Sequence, residues 1–372
     1  MKILQLRGEF SDNGPGSQTL TIAEELRKRG HEVVFCSSGG KLTEKIINKG
    51  FEYKIIKEIS LEKRNFFNVV KAIIKLSSII KKENIEIIHT HNAASVFMTN
   101  IASIVAMRKI KVFQSVRGVE IRPGFQWRNM IYKLNRFNAL FAVSQFTKNI
   151  LTNFGVNEDK IIVTYNGTDL KRFDISKKNF YKNEIRKELD IPLDAKVIGI
   201  VGRQDGNKGH RLLVQSFFKL YEKYNNLYII LVGEGIEMDD NIQLSKNLDI
   251  YDRCRFVGLR LDVEKFHASF DIFTLLSKKG LEMFPNVIIE SMSYANPFVA
   301  TNTTGVPETA KNGEGFICEC EDVDCFVEKF DLLLENDNLR ISMGKVARQS
   351  VENNFNIGSV VDKIEKSYEK CS

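Results

Sequence analysis

Short β-branched runs alternate with amphipathic helical stretches twice over in this 372-residue chain, and that alternation limits the fold more than any other feature. In the first half the strand candidates are 2–6, 33–36, 53–56, 85–89, 111–115, 140–143 and 161–164. Helical spacing lies between them at 18–29, 42–48, 66–82, 95–106 and 147–154. Strands separated by helices cannot pair as hairpins, so the pattern predicts a parallel sheet covered on both faces. The stretch from Lys171 to Tyr181 is polar, Lys-rich and without clear period, and reads as a linker. The alternation then restarts, with strands at 197–201, 228–232, 255–257, 272–275 and 298–300. Helices are expected at 210–224, 242–248, 261–267, 287–294 and 324–335, then at 341–353 and 358–369. The fold class is therefore α/β, two doubly wound parallel-sheet domains in tandem, with ligands expected at strand carboxyl ends and in a cleft between the domains.

A hydrophobic content of 43% with 27% charge belongs to a soluble globular protein, and no apolar run approaches the ~20 residues of a membrane span. The N-terminal Ile3-Leu4-Gln5-Leu6 run is a strand rather than a signal peptide, so the expected location is the cytoplasm. Six sparse cysteines without a C-x-x-C pair, and only five histidines, argue for free thiols and against a metal site. Residues 1–170 hold 26 Lys/Arg against 15 Asp/Glu, whereas the remainder hold 28 against 32. A basic half suits an anionic partner. No nucleic-acid-binding signature is present, and an anionic membrane surface fits as well.

Within the first half, Gly14-Pro15-Gly16-Ser17 follows the first strand and opens into a helix. Such a loop can offer amides to an anion or serve only as a turn. His89-Thr90-His91-Asn92 and Arg117-Gly118-Val119-Glu120 stand where later strands end. A strand-end His more often satisfies a local hydrogen bond than catalyses. Eight Lys/Arg lie between Lys54 and Lys82, against Glu58 and Glu62, and a second basic-aromatic run passes through Arg122, Phe125, Trp127, Arg128, Tyr132, Lys133 and Arg136. These stretches read either as solvated faces or as surfaces for an anionic membrane.

In the second half, Gly202-Arg203-Gln204-Asp205-Gly206-Asn207-Lys208-Gly209 joins a strand to a helix. An Arg fork and a Lys point charge at such a turn make a diphosphate clamp, although the Gly-Lys-Ser/Thr of a Walker A loop is lacking. Val232-Gly233-Glu234-Gly235 and Val257-Gly258 end two later strands, where glycine would let a flat base approach. Glu282-Met283-Phe284-Pro285-Asn286-Val287-Ile288-Ile289-Glu290 sets two carboxylates around a helix opening, with Pro285 suited to its first position. Two such acids are usually solvated; here they follow a phosphate-type loop, which favours a nucleotide-diphosphate site.

Together, Gly202-Arg203…Lys208-Gly209, Val232-Gly233-Glu234-Gly235, the Glu282-x7-Glu290 spacing and Gly305-Val306-Pro307-Glu308 resemble the retaining glycosyltransferases of family four, which have the GT-B fold. Ile87-Ile88-His89-Thr90-His91, Val143-Ser144 and Asn166-Gly167-Thr168-Asp169 resemble that family's N-terminal landmarks. The resemblance implies an acceptor domain over 1–170, with a terminal helix near 355–372 packing back on it, and a nucleotide-sugar domain over 171–354. It assigns the donor diphosphate to Arg203 and Lys208, the ribose to Glu290, and the reacting sugar to Glu282. Phe284, Pro285, Asn286 and Val287 would help hold sugar and phosphate, Gly16 would present its amide to the diphosphate, and Val257 lies at the base. Arg117 stands where many relatives carry His near the donor sugar, and is expected to alter donor or acceptor choice.

The implied reaction moves a sugar from a UDP- or GDP-sugar to a saccharide acceptor, lipid-linked in envelope polysaccharide synthesis, with no metal or cofactor and no nucleic acid. Peripheral contact with the inner membrane would run through the basic half. A nucleotide-sugar 2-epimerase and a non-catalytic nucleotide-binding partner of another transferase are the other two readings.

Overall fold

The computed structural model describes residues 1–11, 14–60 and 65–370. Asp12 and Asn13 of the loop after the first strand and the Leu61–Arg64 part of the basic stretch, with Lys63, lie outside these residues, as does Cys371. Two compact units result: residues 1–167 with 357–372, and residues 168–356.

The first unit holds β1 (Lys2–Leu6), α1 (Gly14–Lys28), β2 (Glu32–Ser37), α2 (Thr43–Asn48), β3 (Glu52–Ile55), α3 (Phe66–Lys82) and β4 (Ile87–Thr90). It continues with α4 (Ala93–Val105), β5 (Lys111–Val116), α5 (Met130–Leu134), β6 (Ala139–Ala142), α6 (Gln145–Asn153) and β7 (Ile161–Val163). The second unit begins with α7 (Lys178–Glu188), β8 (Lys196–Val201), α8 (His210–Tyr221), β9 (Leu227–Val232), α9 (Met238–Asn247), β10 (Cys254–Gly258) and α10 (Val263–Ser269). It ends with β11 (Ile272–Leu275), α11 (Asn286–Met292), β12 (Phe298–Thr301), β13 (Gly315–Cys318), α12 (Val323–Glu335) and α13 (Asp337–Ser350). The chain then returns to the first unit as α14 (Ile357–Lys370).

Both sheets are parallel, in the orders β3-β2-β1-β4-β5-β6-β7 and β10-β9-β8-β11-β12-β13. Each therefore reverses direction once, between β1 and β4 and between β8 and β11. At such a reversal the connecting loops run to opposite faces and leave a crevice beyond the strand carboxyl ends. The central strands are buried throughout, as expected for sheets covered on both sides.

Helix α14 belongs to the core of the first unit: Ile357, Val360, Val361, Ile364 and Tyr368 pack with Leu20, Ala23 and Leu26 of α1. Arg29 fixes its outer face through Asp362 (2.6 Å) and Glu365 (2.9 Å). The Tyr368 hydroxyl lies 2.7 Å from His89 Nδ1, while His89 Nε2 lies 2.8 Å from Ser115 Oγ.

Several local expectations are corrected. Helix α1 begins at Gly14 rather than Gln18, so Gly16 stands in its first turn, buried, and not in an open loop. The last four residues of the supposed linker, Lys178 to Tyr181, are the start of α7. Its buried face carries Arg186, fully enclosed and donating to the carbonyls of Leu193 (2.7 Å) and Ala195 (2.6 Å) and to Asp271 Oδ2 (2.8 Å). Edge strand β13 was not anticipated. The cysteines are not all free: Cys318 and Cys325 form a disulfide, leaving Cys36, Cys254 and Cys320 as thiols among the described residues.

Burial keeps three histidines neutral. The His89 pKa falls to about 3 and that of His210 to about 4, and His91 is held well below its ordinary value, in each case chiefly by desolvation. The unfolded chain protonates them below about pH 6.5, so their stabilising effect is complete above that pH and is lost as the pH falls toward the folded values. In urea unfolding at pH 7, 6 and 5, His89→Gln should be less stable than wild type at pH 7. The gap should close below pH 6.5 by up to about 1.4 kcal/mol per pH unit; a constant gap would contradict a neutral His89.

Candidate active site

In the second unit the loops after β8 and β11 flank the strand-order reversal. The first carries Arg203 to Lys208 and the second carries Ser277 to Pro285. Lys278 N donates to Asn207 O (3.0 Å) and ties the loops together. Lys208 Nζ donates to Glu282 Oε1, and Ser277 Oγ donates to the same oxygen at 2.8 Å. Gly305 N (3.0 Å) and the Thr304 hydroxyl hold the Glu282 carbonyl, so the backbone of Gly305-Val306-Pro307-Glu308 fixes where this acid stands. The Glu282 side chain is 9% exposed and that of Lys208 25% exposed, so the pair is only partly screened by water. Residues 74 apart in sequence thus form one charged centre at the end of two adjacent strands.

Arg203 projects differently. Its side chain is 79% exposed, and Nη2 lies 3.3 Å from Asp205 Oδ2, leaving the guanidinium open to an anion from solvent. Gln204 points inward and donates to Gly233 O (2.8 Å), while Asn241 donates to Gln204 Oε1 (3.1 Å). This changes the reading of the glycines. Gly233 has φ +125°, and a Cβ on Gly233 or Gly235 would strike the backbone of Gly202 or Gln204. These glycines let two strand-end loops lie against each other, and the space once assigned to a base is filled by protein. Gly258, beside the partly buried Val257, does have open space around it.

Helix α11 starts at Asn286, followed by Val287, with Pro285 in the extended cap position rather than in the first turn. Phe284 is buried, with its ring 5.3 Å from that of Phe355. Glu290, on α11, is partly exposed, and its Oε2 lies 3.5 Å from Nε2 of fully buried His267. The sequence reading did not single out His267, Ser277 or Thr304. Only the chain's folding places them beside the two acids; no spacing rule connects them.

In the first unit, His91 Nε2 lies 2.7 Å from Gln5 Oε1 and its Nδ1 lies 3.2 Å from Thr19 Oγ1. With His89 bound by Tyr368 and Ser115, both histidines have the local hydrogen-bonding role. Arg117 donates from Nη1 to Asn166, and burial, followed by repulsion from Arg7, lowers its pKa to about 9. The basic-aromatic run is partly self-paired, since Arg122 (2.8 Å) and Arg128 (3.6 Å) both reach Glu120. On α3 the solvent face is not simply polar: Phe66 and Phe67 are 77% and 75% exposed, with Val70 and Ile74 beside Lys71 and Lys75.

Residues 12–172 match the family described as Glycosyltransferase Family 4, and residues 181–350 match the family described as Glycosyl transferases group 1. The chain is a family-4-type glycosyltransferase. The N-acetyl-alpha-D-glucosaminyl L-malate synthase of Bacillus anthracis is 26% identical over 96% of this chain and 94% of its own. The UDP-Gal:alpha-D-GlcNAc-diphosphoundecaprenol alpha-1,3-galactosyltransferase of Escherichia coli is 28% identical over 90% and 88%. A glycosyltransferase structure from Rickettsia africae superposes with a TM-score of 0.85 at 25% identity, covering all of this chain and 98% of that one. These likenesses identify the two parallel-sheet units as the GT-B fold.

For this glycosyltransferase the Lys208–Glu282 pair carries a stability test. Lys208→Met leaves a largely buried carboxylate without its cation and should destabilise the second unit by about 2 kcal/mol. Lys208→Met combined with Glu282→Gln should recover at least half of that loss in a double-mutant cycle. Additive effects would show that the two groups do not interact.

Proposed function

We propose that the protein is a retaining transferase that moves a sugar from a UDP- or GDP-sugar to a saccharide acceptor, lipid-linked and bound at the cytoplasmic face of the membrane. The observation that carries this reading is the Lys208–Glu282 centre beside exposed Arg203 at the strand-order reversal of the second unit. A departing nucleoside diphosphate gains negative charge as its bond to the anomeric carbon breaks. Arg203 and Lys208 are the cations available to that charge, and Glu282 orients Lys208 while offering its carboxylate to sugar hydroxyls. Glu290 takes the ribose, and the segment from Phe284 to Val287 borders sugar and phosphate. Attack comes from the face the diphosphate leaves: the acceptor oxygen forms the new bond, the anomeric C–O bond breaks, and the acceptor proton passes to a departing phosphate oxygen. No metal is required, because the protein supplies the positive charge.

The activities for which the Escherichia coli and Bacillus anthracis relatives are named support sugar transfer rather than epimerisation, and the former supports a UDP-sugar and a diphosphate-lipid acceptor. The exposed Phe66, Phe67, Val70 and Ile74 of α3, interleaved with Lys71 and Lys75, support docking on an anionic bilayer. No helix among the described residues is long and apolar enough to cross one.

A panel of UDP- and GDP-sugars screened for thermal stabilisation identifies the donor by mass action. With that donor, Arg203→Ala and Lys208→Ala should each lower kcat by about 100-fold, EDTA should leave the rate unchanged, and NMR should show retained anomeric configuration. An inverted product would refute the same-face mechanism. Separately, the full chain should sediment with phosphatidylglycerol vesicles and not with phosphatidylcholine ones. Phe66→Ser with Phe67→Ser should weaken this binding at least tenfold; equal sedimentation of wild type and variant would remove α3 as the contact.

A further inference from the structure

Within the first unit, the strand-order reversal lies between β1 and β4, and the residues that follow β1, β4 and β5 are Arg7, His91 and Arg117. Side chains two apart on a strand share a face. Gln5 and Arg7, His89 and His91, and Ser115 and Arg117 are such pairs, and the contacts of His91 with Gln5 and of His89 with Ser115 place all three pairs on one face. Three adjacent strands therefore present two arginines at the level where this crevice opens.

Among the described residues these arginines have no ion-pair partner; Glu9 is the acid whose charge reaches Arg7, and it makes no ion pair with it. Arg7 Nη1, Arg117 Nε and Gln5 Nε2 are buried with no hydrogen-bond partner. Glu120, the acid nearest Arg117 in sequence, is occupied by Arg122 and Arg128. His89 and His91 are neutral and add no negative charge. Holding two partly buried guanidinium groups close enough to repel one another without an anion is costly, and both keep buried N–H donors without a partner. A cavity of about 390 Å³ is lined by Asn92, Gly118, Val119, Glu120, Arg128 and Tyr132, and Asn92 and Gly118 immediately follow His91 and Arg117.

We propose that Arg7 and Arg117, with Gln5 Nε2 beside them, seat an anionic group, a phosphate or a carboxylate, carried by the acceptor, whose remainder extends into the adjoining cavity. This rests on the reading of the protein as a transferase whose first unit receives the acceptor. Arg117 then acts on the acceptor rather than on the donor sugar, and a guanidinium fork suits either oxyanion.

The test uses the full chain with UDP present at saturation, so that the second unit's diphosphate site is filled, and titrates inorganic phosphate and succinate by calorimetry. Wild type should bind one or both saturably. Arg117→Met and Arg7→Met should each weaken that binding at least tenfold, with Lys variants at the same positions intermediate, while Lys219→Ala, at an exposed pair with Asp324, binds as wild type does. Phosphate alone would identify a phosphate-bearing acceptor, and succinate a carboxylate-bearing one. Unchanged UDP stabilisation in the arginine variants shows that they are folded; failure of UDP to stabilise wild type counts against the transferase reading and is seen separately. The proposal is overturned if neither probe binds wild type, if the arginine variants bind as wild type does, or if Arg117→Met weakens only a UDP-hexuronate.

Discussion

A parallel sheet that grows from its centre in both directions must leave a gap where the direction changes, because the loops on either side depart to opposite faces. Both units are built this way, and nearly every functional argument depends on it. In the second unit the gap lies between β8 and β11 and is occupied at its rim by Lys208 and Glu282. In the first it lies between β1 and β4, with Arg7 and His91 at the rim. The same topology has therefore been furnished with a paired charge in one unit and with unpaired positive charge in the other.

That difference has electrostatic consequences. Lys208 and Glu282 neutralise one another at short range, so the second unit can hold them in a mostly buried position and still present Arg203 as an exposed cation. The first unit holds His89 and His91 neutral and, among the described residues, keeps Arg7 and Arg117 out of ion pairs at its strand ends. A transferase needs one site that receives a diphosphate and another that receives an acceptor, and the two units differ in charge arrangement rather than in fold.

The first unit also depends on a segment from the far end of the chain. Tyr368 of α14 reaches His89, and His89 in turn holds Ser115 on β5. The packing of α14 thus extends by two hydrogen bonds to β5, the strand that Arg117 follows. Damage to the terminal helix would reach the strand ends as well as the core.

Much of the architecture was readable because apolar periodicity survives wherever an element buries only apolar groups. Strands β1 and β11 and helix α3 stand where the sequence places them, and Lys208 and Glu282 were recognisable from their loops. Helix α7 was missed because its buried face is closed by Arg186, whose charge is met by carbonyls and Asp271 and whose polarity erases the periodic signal. The disulfide between Cys318 and Cys325 follows from where β13 and α12 bring their ends, which spacing alone did not declare. By itself the sequence determined the alternation, hence two parallel sheets, and the residue types at their strand ends. Tertiary structure alone decided which of those residues meet: that Glu282 faces Lys208 and Ser277, that Gly233 and Gly235 admit backbone rather than a base, and that Arg117 has Arg7 near it and, among the described residues, no ion-paired acid. The reason is that strand order, not chain order, sets which loops become neighbours, and a linear sequence carries no direct record of strand order.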